Sequence, residues 1–222
     1  MTEPTVVERL ARVSALIAAS GRNPDEVAIV AVTKGFEVDA CREALDAGLP
    51  MLGENRVQEA LSKMEEVLGA QWHLIGHLQT NKVKHAAGRF ALIQTVDSSR
   101  LAEAIARHAP SQAVLVEVNI AREPQRSGVS PEAAVELIKS ASSLLDVQGL
   151  MGMGPAAGDP APAFNELRRL RDEAEQGIGK RLPVLSMGMS GDFQAALAAG
   201  STMLRLGQAL FGPRAPVAPP EC

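Results

Sequence analysis

The sequence alternates between short apolar runs and longer amphipathic stretches along most of its length. Eight apolar runs of four to seven residues have the length and composition of buried strands, and apolar residues recur at helical spacing between them. Strands that alternate with helices become parallel neighbours, because the connections between them are right-handed crossovers. The pattern therefore predicts an α/β fold built on eight parallel strands. The predicted strands are 27–33, 50–53, 72–76, 91–95, 113–118, 146–151, 183–187 and 202–206.

Two architectures accommodate eight such units: a closed (β/α)8 TIM barrel and an open, doubly wound sheet. The length of 222 residues fits a barrel near the short end of its usual range of roughly 200 to over 400 residues. No GxGxxG motif follows the first predicted strand, so the dinucleotide fingerprint typical of the open sheet is missing. We therefore predict a single TIM barrel over residues 1–214, followed by a disordered tail over 215–222.

The first 20 residues predict an extra amphipathic helix in front of the barrel. Thr5 and Glu8 have the spacing of a capping box, and the segment lacks the basic start of a signal peptide. We therefore expect a folded helix here and not a targeting segment. Its apolar residues recur at helical spacing: Val6, Leu10, Val13 and Ile17.

Composition argues against several classes of partner. No uninterrupted apolar stretch approaches the roughly 20 residues of a membrane span, so we expect no membrane partner. A net charge of −4 without a basic stripe argues against nucleic acid. Cys41 and Cys222 fit no metal or redox spacing and indicate a reducing cytoplasm. Histidines and carboxylates do not cluster at metal-ligand spacing, so we predict no metal.

The stretch AIVAVTKGF places one lysine where a buried strand ends. Lys34 follows the first predicted strand, at the carboxyl-terminal side of the barrel, where the active sites of this architecture gather. A lysine there either extends its ammonium group into solvent or lies in the barrel mouth, where burial favours the uncharged amine. The second alternative predicts a Schiff base with a carbonyl compound. Position alone leaves both alternatives open.

Two glycine-bearing turns follow the last two predicted strands. The stretch SMGMSGD places Ser190 and Gly191 between a strand and a helix, and the stretch RLGQALFG repeats the pattern with Gly207 and Gln208. Free N–H groups at a helix start bind anions, and glycine lets an anion approach closely. Either turn alone is typical of an ordinary helix cap. Barrels, however, commonly build a phosphate site after strands 7 and 8, so the pair predicts a phosphate held within reach of the first strand.

Three further polar residues are candidates for the same mouth. Asn55 and His77 follow the second and third predicted strands, where each either lines a pocket or caps the next helix. Arg205 lies within the eighth predicted strand, where it either pairs with a carboxylate at the rim or faces a ligand. His73, inside the third predicted strand, is expected to be a hydrogen-bonded core residue.

Taken together, these stretches resemble the pyridoxal phosphate homeostasis protein family, which is related to the N-terminal barrel of alanine racemase. The resemblance covers nearly the whole chain, and the motifs follow the family's order. The matching stretches are AVTK (31–34), GEN with QEA (53–60), WHLIGHLQTNK (72–82), SGV (127–129), GLM (149–151), SMGMSGD (186–192) and RLGQALFGPR (205–214).

The resemblance implies that Lys34 holds pyridoxal 5′-phosphate as a Schiff base. It implies a cytoplasmic role in vitamin B6 homeostasis, in which the protein binds the cofactor reversibly and buffers it or passes it to pyridoxal phosphate-dependent apo-enzymes. Gln208 departs from the family pattern, which usually has a small hydroxylic residue there, so we expect weaker phosphate binding. The remaining implied contacts are Ser190, Gly191, Gly207 and Gln208 at the phosphate, Arg205 near the pyridine nitrogen, and Asn55 and His77 as pocket neighbours.

The chain contains no tyrosine, which bears on turnover. Alanine racemase uses two bases, the cofactor lysine and a tyrosine from a separate C-terminal domain, and this sequence holds neither that tyrosine nor that domain. We therefore predict a binding protein with no catalytic residue and no racemase turnover. A slow amino-acid racemase and a Schiff-base lyase or aldolase that uses Lys34 directly remain alternatives. We expect a monomer, because a closed barrel needs no partner to cover its core.

Overall fold

In the computed structural model, which describes residues 3–213, eight parallel strands close into a barrel in sequence order. Each strand begins and ends within two residues of its prediction, and the predicted TIM barrel is confirmed. The last strand returns to pair with the first, so the sheet has no open edge. The tail 215–222, predicted to be disordered, lies outside the described residues. The strands are β1 (Ala28–Val32), β2 (Met51–Glu54), β3 (Gln71–Leu74), β4 (Leu92–Val96), β5 (Ala113–Val118), β6 (Asp146–Gly152), β7 (Val184–Ser186) and β8 (Met203–Leu206).

Helices follow the strands and cover the outside of the barrel. They bury apolar stripes against the sheet, as the helical spacing of the amphipathic stretches predicts. Two 3-10 turns, Pro24–Glu26 and Thr80–Lys82, precede β1 and the fourth helix. The helices within residues 3–213 are α1 (Val6–Ala19), α2 (Val38–Asp46), α3 (Val57–Glu66), α4 (Val83–Ala86), α5 (Ser99–His108), α6 (Pro131–Ser142), α7 (Ala161–Ile178), α8 (Phe193–Ala198) and α9 (Gln208–Phe211).

The helix α1 is the predicted extra helix, and it packs against α9 next to the barrel. Its capping box is present: Thr5 Oγ1 accepts from the N–H of Glu8, and Glu8 Oε2 accepts from the N–H of Thr5 at 2.8 Å. Val13 and Ile17 are buried on its inner face. None of the helices described between residues 3 and 213 is long and apolar enough to cross a membrane.

The inside of the barrel is layered because side chains along a strand alternate between its two faces. An apolar layer comes first, and the next inward-facing residue lies two positions further along each strand. That shift places Gln94, Glu117 and Arg205 above the apolar layer, towards the carboxyl ends of the strands. The apolar layer consists of Val30, Leu92, Leu115, Met151 and Met203.

Candidate functional site

A cavity of about 470 Å³ opens at the carboxyl ends of the strands. Its volume lies within the roughly 300–1,000 Å³ typical of small-molecule sites. The structure brings every predicted site residue to this one cavity, although they come from five separate parts of the sequence. The predicted residues that border it are Lys34, Asn55, His77, Ser190, Gly191, Arg205, Gly207 and Gln208.

Lys34 borders the cavity from the end of β1. It has the same inward orientation as Val30 and Val32, because these residues alternate along one strand with outward-facing ones. Lys34 is half-buried. It therefore lies in the mouth of the barrel, between the apolar core and the solvent. The next residue, Gly35, has φ of 72°, which lets the chain turn sharply away from the strand.

The two glycine-bearing turns are joined to each other at the cavity. The hydroxyl of Ser190 accepts a hydrogen bond of 3.1 Å from the N–H of Ala209, which links the turn after β7 to α9. Within residues 3–213, the N–H groups of Ser190 and Gly191 meet no hydrogen-bond acceptor. A Cβ added at Gly191 would meet no atom within 4 Å, so the turn is open on that side of Gly191. The turns therefore offer donors to an anion.

Asp192 fixes the turn that leads from β7 into α8. The helix α8 begins directly after Asp192. Its side chain does not cap that helix, however. Oδ1 of Asp192 accepts a hydrogen bond of 2.6 Å from the N–H of Met189, and this contact fixes the turn itself.

Arg205 faces the barrel interior and is 4% exposed. Its Nη1 donates to the backbone oxygen and the hydroxyl of Ser186 at 2.7 and 2.8 Å, and its Nη2 donates to the backbone oxygen of Gly152 at 3.0 Å. In the described part of the chain no carboxylate lies within ion-pair distance of it. Burial lowers the pKa of Arg205 to about 10 against the opposing attraction of Glu117 and Asp192, so the guanidinium stays charged at neutral pH.

A directed chain of hydrogen bonds continues from Arg205 across the barrel. The hydroxyl of Ser186 donates to Oε1 of Gln94 at 2.6 Å, and Nε2 of Gln94 lies 3.0 Å from Nδ1 of His73. Burial lowers the pKa of His73 to about 4, so the ring is neutral and its Nδ1 accepts this bond. His73 is thus the hydrogen-bonded core residue that its position in a strand predicts.

Glu117 is a charged site residue that the sequence prediction missed. It is 3% exposed, borders the cavity from β5, and its Oε2 has no hydrogen-bond partner among residues 3–213. Burial and, to a smaller extent, the charge of Asp97 raise the pKa of Glu117, the positive charge of Arg205 partly offsets both, and the resulting pKa is about 7. One signal was available, since this glutamate is the single charged residue in the apolar run AVLVEV.

His77, at the rim of the cavity, pairs with Asp97. Nδ1 of His77 lies 3.3 Å from Oδ2 of Asp97, with the imidazole half exposed. Beside it, the backbone of Asn55 passes so close to Gly76 that a Cβ there would overlap the backbone oxygen of Asn55. The glycine in the GHLQ stretch is therefore a packing requirement of the site.

The cavity also has apolar walls that no motif predicted. These residues come from four different strand ends. They are Val32, Ile75, Met153 and Met189. Within the described residues, no group of three or more histidine, cysteine, aspartate or glutamate side chains could hold a metal ion.

Comparison with known proteins places this barrel in a family. The model of the alanine racemase N-terminal domain matches residues 10–215. A pyridoxal phosphate homeostasis protein of Aquifex aeolicus is 40% identical over 93% of this chain and 97% of its own length. The Escherichia coli K12 protein of the same name is 37% identical over 91% of this chain and 92% of its own length.

A solved structure agrees with these relatives. The structure of PipY of Synechococcus elongatus with pyridoxal phosphate bound superposes with a TM-score of 0.81 at 35% identity, over 94% of this chain and 100% of the PipY chain. The chain therefore belongs to the alanine racemase N-terminal domain family and, within it, groups with the pyridoxal phosphate homeostasis proteins.

Proposed function

We propose that the cavity binds pyridoxal 5′-phosphate as a Schiff base on Lys34, and that the protein serves pyridoxal phosphate homeostasis. In this role it buffers the cofactor or passes it to pyridoxal phosphate-dependent apo-enzymes. The observation that carries the proposal is that Lys34 and the two glycine-bearing turns border one cavity. The relatives named for this role, and the PipY structure with the cofactor bound, support it.

The described residues fit each part of the cofactor. The N–H groups of Ser190 and Gly191 suit a phosphate, since those donors meet no acceptor within residues 3–213 and a Cβ added at Gly191 would meet open space. Apolar walls suit the faces of a flat ring. Arg205 offers a fixed positive charge on the barrel axis, held by three hydrogen bonds to Ser186 and Gly152.

The chemistry at Lys34 is condensation. Lys34 would hold the group through its amine: an uncharged amine and an aldehyde condense to a C=N bond, and the aldehyde oxygen leaves as water with the two amine protons. When bound, pyridoxal phosphate supplies an electron sink for carbanions. The charged guanidinium of Arg205 disfavours protonation of a nearby ring nitrogen, which weakens that sink. Together with the absence of tyrosine from the sequence, this favours a carrier without racemase turnover.

Reduction with borohydride tests the proposal directly. Protein loaded with pyridoxal phosphate is reduced, digested and mapped by mass spectrometry, and the phosphopyridoxyl mass is expected on the peptide that contains Lys34. Lys34→Ala should abolish the yellow absorption band, while Lys139→Ala, an exposed lysine on α6, should keep it. A phosphopyridoxyl mass on another lysine contradicts the site. A colourless wild-type protein favours the lyase or aldolase, and D-alanine formed from L-alanine favours the racemase.

We also propose that the protein is a monomer that acts in the cytoplasm. Within the described residues the sheet closes on itself, which leaves no strand edge for a partner to extend. The thiol of Cys41 is buried and unpaired, as is common in a reducing compartment. Analytical ultracentrifugation across a range of concentrations tests the monomer, and a stable dimer contradicts it.

A further inference from the structure

A buried cluster of charged side chains lies behind Lys34, between the barrel and α3. We call Glu54, Glu59 and Lys63 the Lys63 cluster. Nζ of Lys63 lies 2.7 Å from Oε1 of Glu54 and 3.0 Å from Oε1 of Glu59. The side chains of Lys63 and Glu54 are 7% and 0% exposed. Glu59 and Lys63 are neighbours on α3 at i, i+4 spacing, whereas Glu54 lies on β2 and meets Lys63 only when α3 packs on the barrel, so no sequence pattern predicted the cluster.

The ammonium group of Lys63 is fully satisfied. Its third hydrogen bond goes to the backbone oxygen of Thr33 at 2.9 Å, so its three donors meet three acceptors. Burial lowers the pKa of Lys63, but the carboxylates of Glu54 and Glu59 outweigh burial and hold the pKa above its ordinary value. Burial raises the pKa of Glu59, but the hydrogen bonds from Gly35 and Lys63 outweigh it and hold the pKa low. Lys63 and Glu59 are therefore charged at neutral pH.

The cluster holds the backbone on both sides of Lys34. Before Lys34, the oxygen of Thr33 accepts from Lys63, and the hydroxyl of Thr33 donates to Oε1 of Glu54 at 2.7 Å. After Lys34, the N–H of Gly35 donates to Oε1 of Glu59 at 2.9 Å. Gly35 is exposed and has φ of 72°, and glycine gives the backbone conformational freedom at this position. The hydrogen bonds from the cluster restrict that freedom.

Stability alone does not account for such an arrangement. Buried ion pairs are often no more stable than apolar side chains of similar volume, because desolvation offsets the attraction between the charges. The cluster is also incompletely satisfied, since Oε2 of Glu54 is buried without a partner among residues 3–213. The cluster instead fixes the peptide groups on both sides of Lys34.

We propose that Glu54, Glu59 and Lys63 are positioning residues, which fix the backbone around Lys34 and thereby aim its amine at the aldehyde of a bound ligand. The inference rests on the proposed function, since it takes Lys34 as the group that meets the aldehyde. None of the three borders the cavity among the residues described for it. Their effect on the ligand passes through the backbone of residues 33–35.

Two ligands separate positioning from general stability. Pyridoxal 5′-phosphate has an aldehyde for Lys34, whereas pyridoxine 5′-phosphate has an alcohol in its place and cannot form a Schiff base. Glu59→Ala removes the acceptor of the Gly35 N–H and should weaken pyridoxal phosphate binding by about tenfold, because a misplaced reacting group loses its favourable orientation. The affinity for pyridoxine phosphate should stay at the wild-type level, since Glu59 does not border the cavity.

Conservative variants test the same contact from the other direction. Glu59→Gln keeps an oxygen that can accept from Gly35, so it should bind pyridoxal phosphate more tightly than Glu59→Ala. Lys63→Met alone would leave Glu54 buried without its partner, and this variant could fail to fold. The double variant Glu54→Gln with Lys63→Met removes both charges together, and it should also lose affinity selectively for the aldehyde ligand.

A matched control comes from a buried amide at the other end of the barrel. Nε2 of Gln112 donates to the backbone oxygens of Phe90 and Ala113 at 2.9 and 3.1 Å. Gln112→Ala should lower the Tm without changing the ratio of the two affinities. Equal weakening of both ligands by Glu59→Ala, or no weakening of either, would overturn the positioning role. A wild-type protein that forms no adduct at Lys34 would overturn the proposed function, and the inference with it.

Discussion

Arg205 donates a hydrogen bond of 2.8 Å to the hydroxyl of Ser186 from inside the barrel, one layer below the mouth. The hydroxyl of Ser186 uses its single proton to donate a hydrogen bond to Oε1 of Gln94. Nε2 of Gln94 in turn donates a hydrogen bond to Nδ1 of the neutral His73 ring. The orientation of the guanidinium is therefore set by four strands acting together. The charged guanidinium is thus held in place by a buried network of polar side chains.

Replacing Ser186 with alanine should break this chain at its centre. Arg205 would lose one acceptor and Oε1 of Gln94 would lose its donor, and both groups are buried. We expect the free energy of unfolding to fall by about 1–3 kcal/mol, the cost of unsatisfied buried polar groups. Urea denaturation measures this. Ser143→Ala, which removes an exposed hydroxyl at the end of α6, should change it far less, and equal losses would contradict the role of the chain.

The pH dependence of stability should reveal Glu117. Burial, then Asp97, raises the pKa of this carboxyl from 4.5 to about 7 in the folded protein, while Arg205 partly offsets both. Between these two values the folded state binds more protons than the unfolded state, so the contribution of Glu117 to stability is lost as pH rises. The loss reaches about 3 kcal/mol near pH 7. Glu117→Gln removes this dependence and should therefore gain stability relative to the wild type from pH 5 to pH 8.

His73 adds a pH dependence of stability that is opposite in sign to that of Glu117. Burial lowers its pKa from 6.5 to about 4, so its contribution to stability rises with pH over that window and opposes that of Glu117. In Glu117→Gln the rise from His73 should stand alone, and urea midpoints between pH 4.5 and 6.5 should increase more steeply than in the wild type. Glu136→Gln on α6, with a side chain that is 82% exposed, should follow the wild type. Parallel curves for wild type and Glu117→Gln would contradict the buried carboxyl.

The contrast between these residues shows what the sequence could predict. Apolar runs mark buried strands, and parallel strands share one active end, so Lys34 and the two turns could be assigned to one mouth. The chain from Arg205 to His73 depends on which residues of four different strands reach the same height inside the barrel. That height is set by strand register and barrel closure, and no local pattern encodes either. The same holds for Lys63, which meets Glu54 of β2 and the backbone oxygen of Thr33, just after β1.

Substitution by alanine should destabilise the protein at Gly76 but not at Gly191. At Gly76 a Cβ would overlap the backbone of Asn55, so Gly76→Ala should lower the free energy of unfolding by about 3 kcal/mol. At Gly191 a Cβ would meet open space, so Gly191→Ala should leave the Tm unchanged. It should nevertheless weaken pyridoxal phosphate, because the methyl group occupies the space proposed for the phosphate. Thermal melts and ligand titrations of both variants check this, and a stable Gly76→Ala would contradict the tight contact.

Gln208 allows a gain of affinity to be tested. It borders the cavity at the start of α9. The resemblance seen in the sequence implies that the family usually has a small hydroxylic residue at this position. Gln208→Thr keeps the backbone N–H and adds a hydroxyl that can donate to a phosphate. One added hydrogen bond should tighten binding by about three- to tenfold. Because both ligands share the phosphate, pyridoxal phosphate and pyridoxine phosphate should gain equally in titrations. Gln125→Thr, at an exposed position away from the cavity, should gain nothing. A gain confined to the aldehyde ligand would place Gln208 near Lys34 and contradict the phosphate assignment.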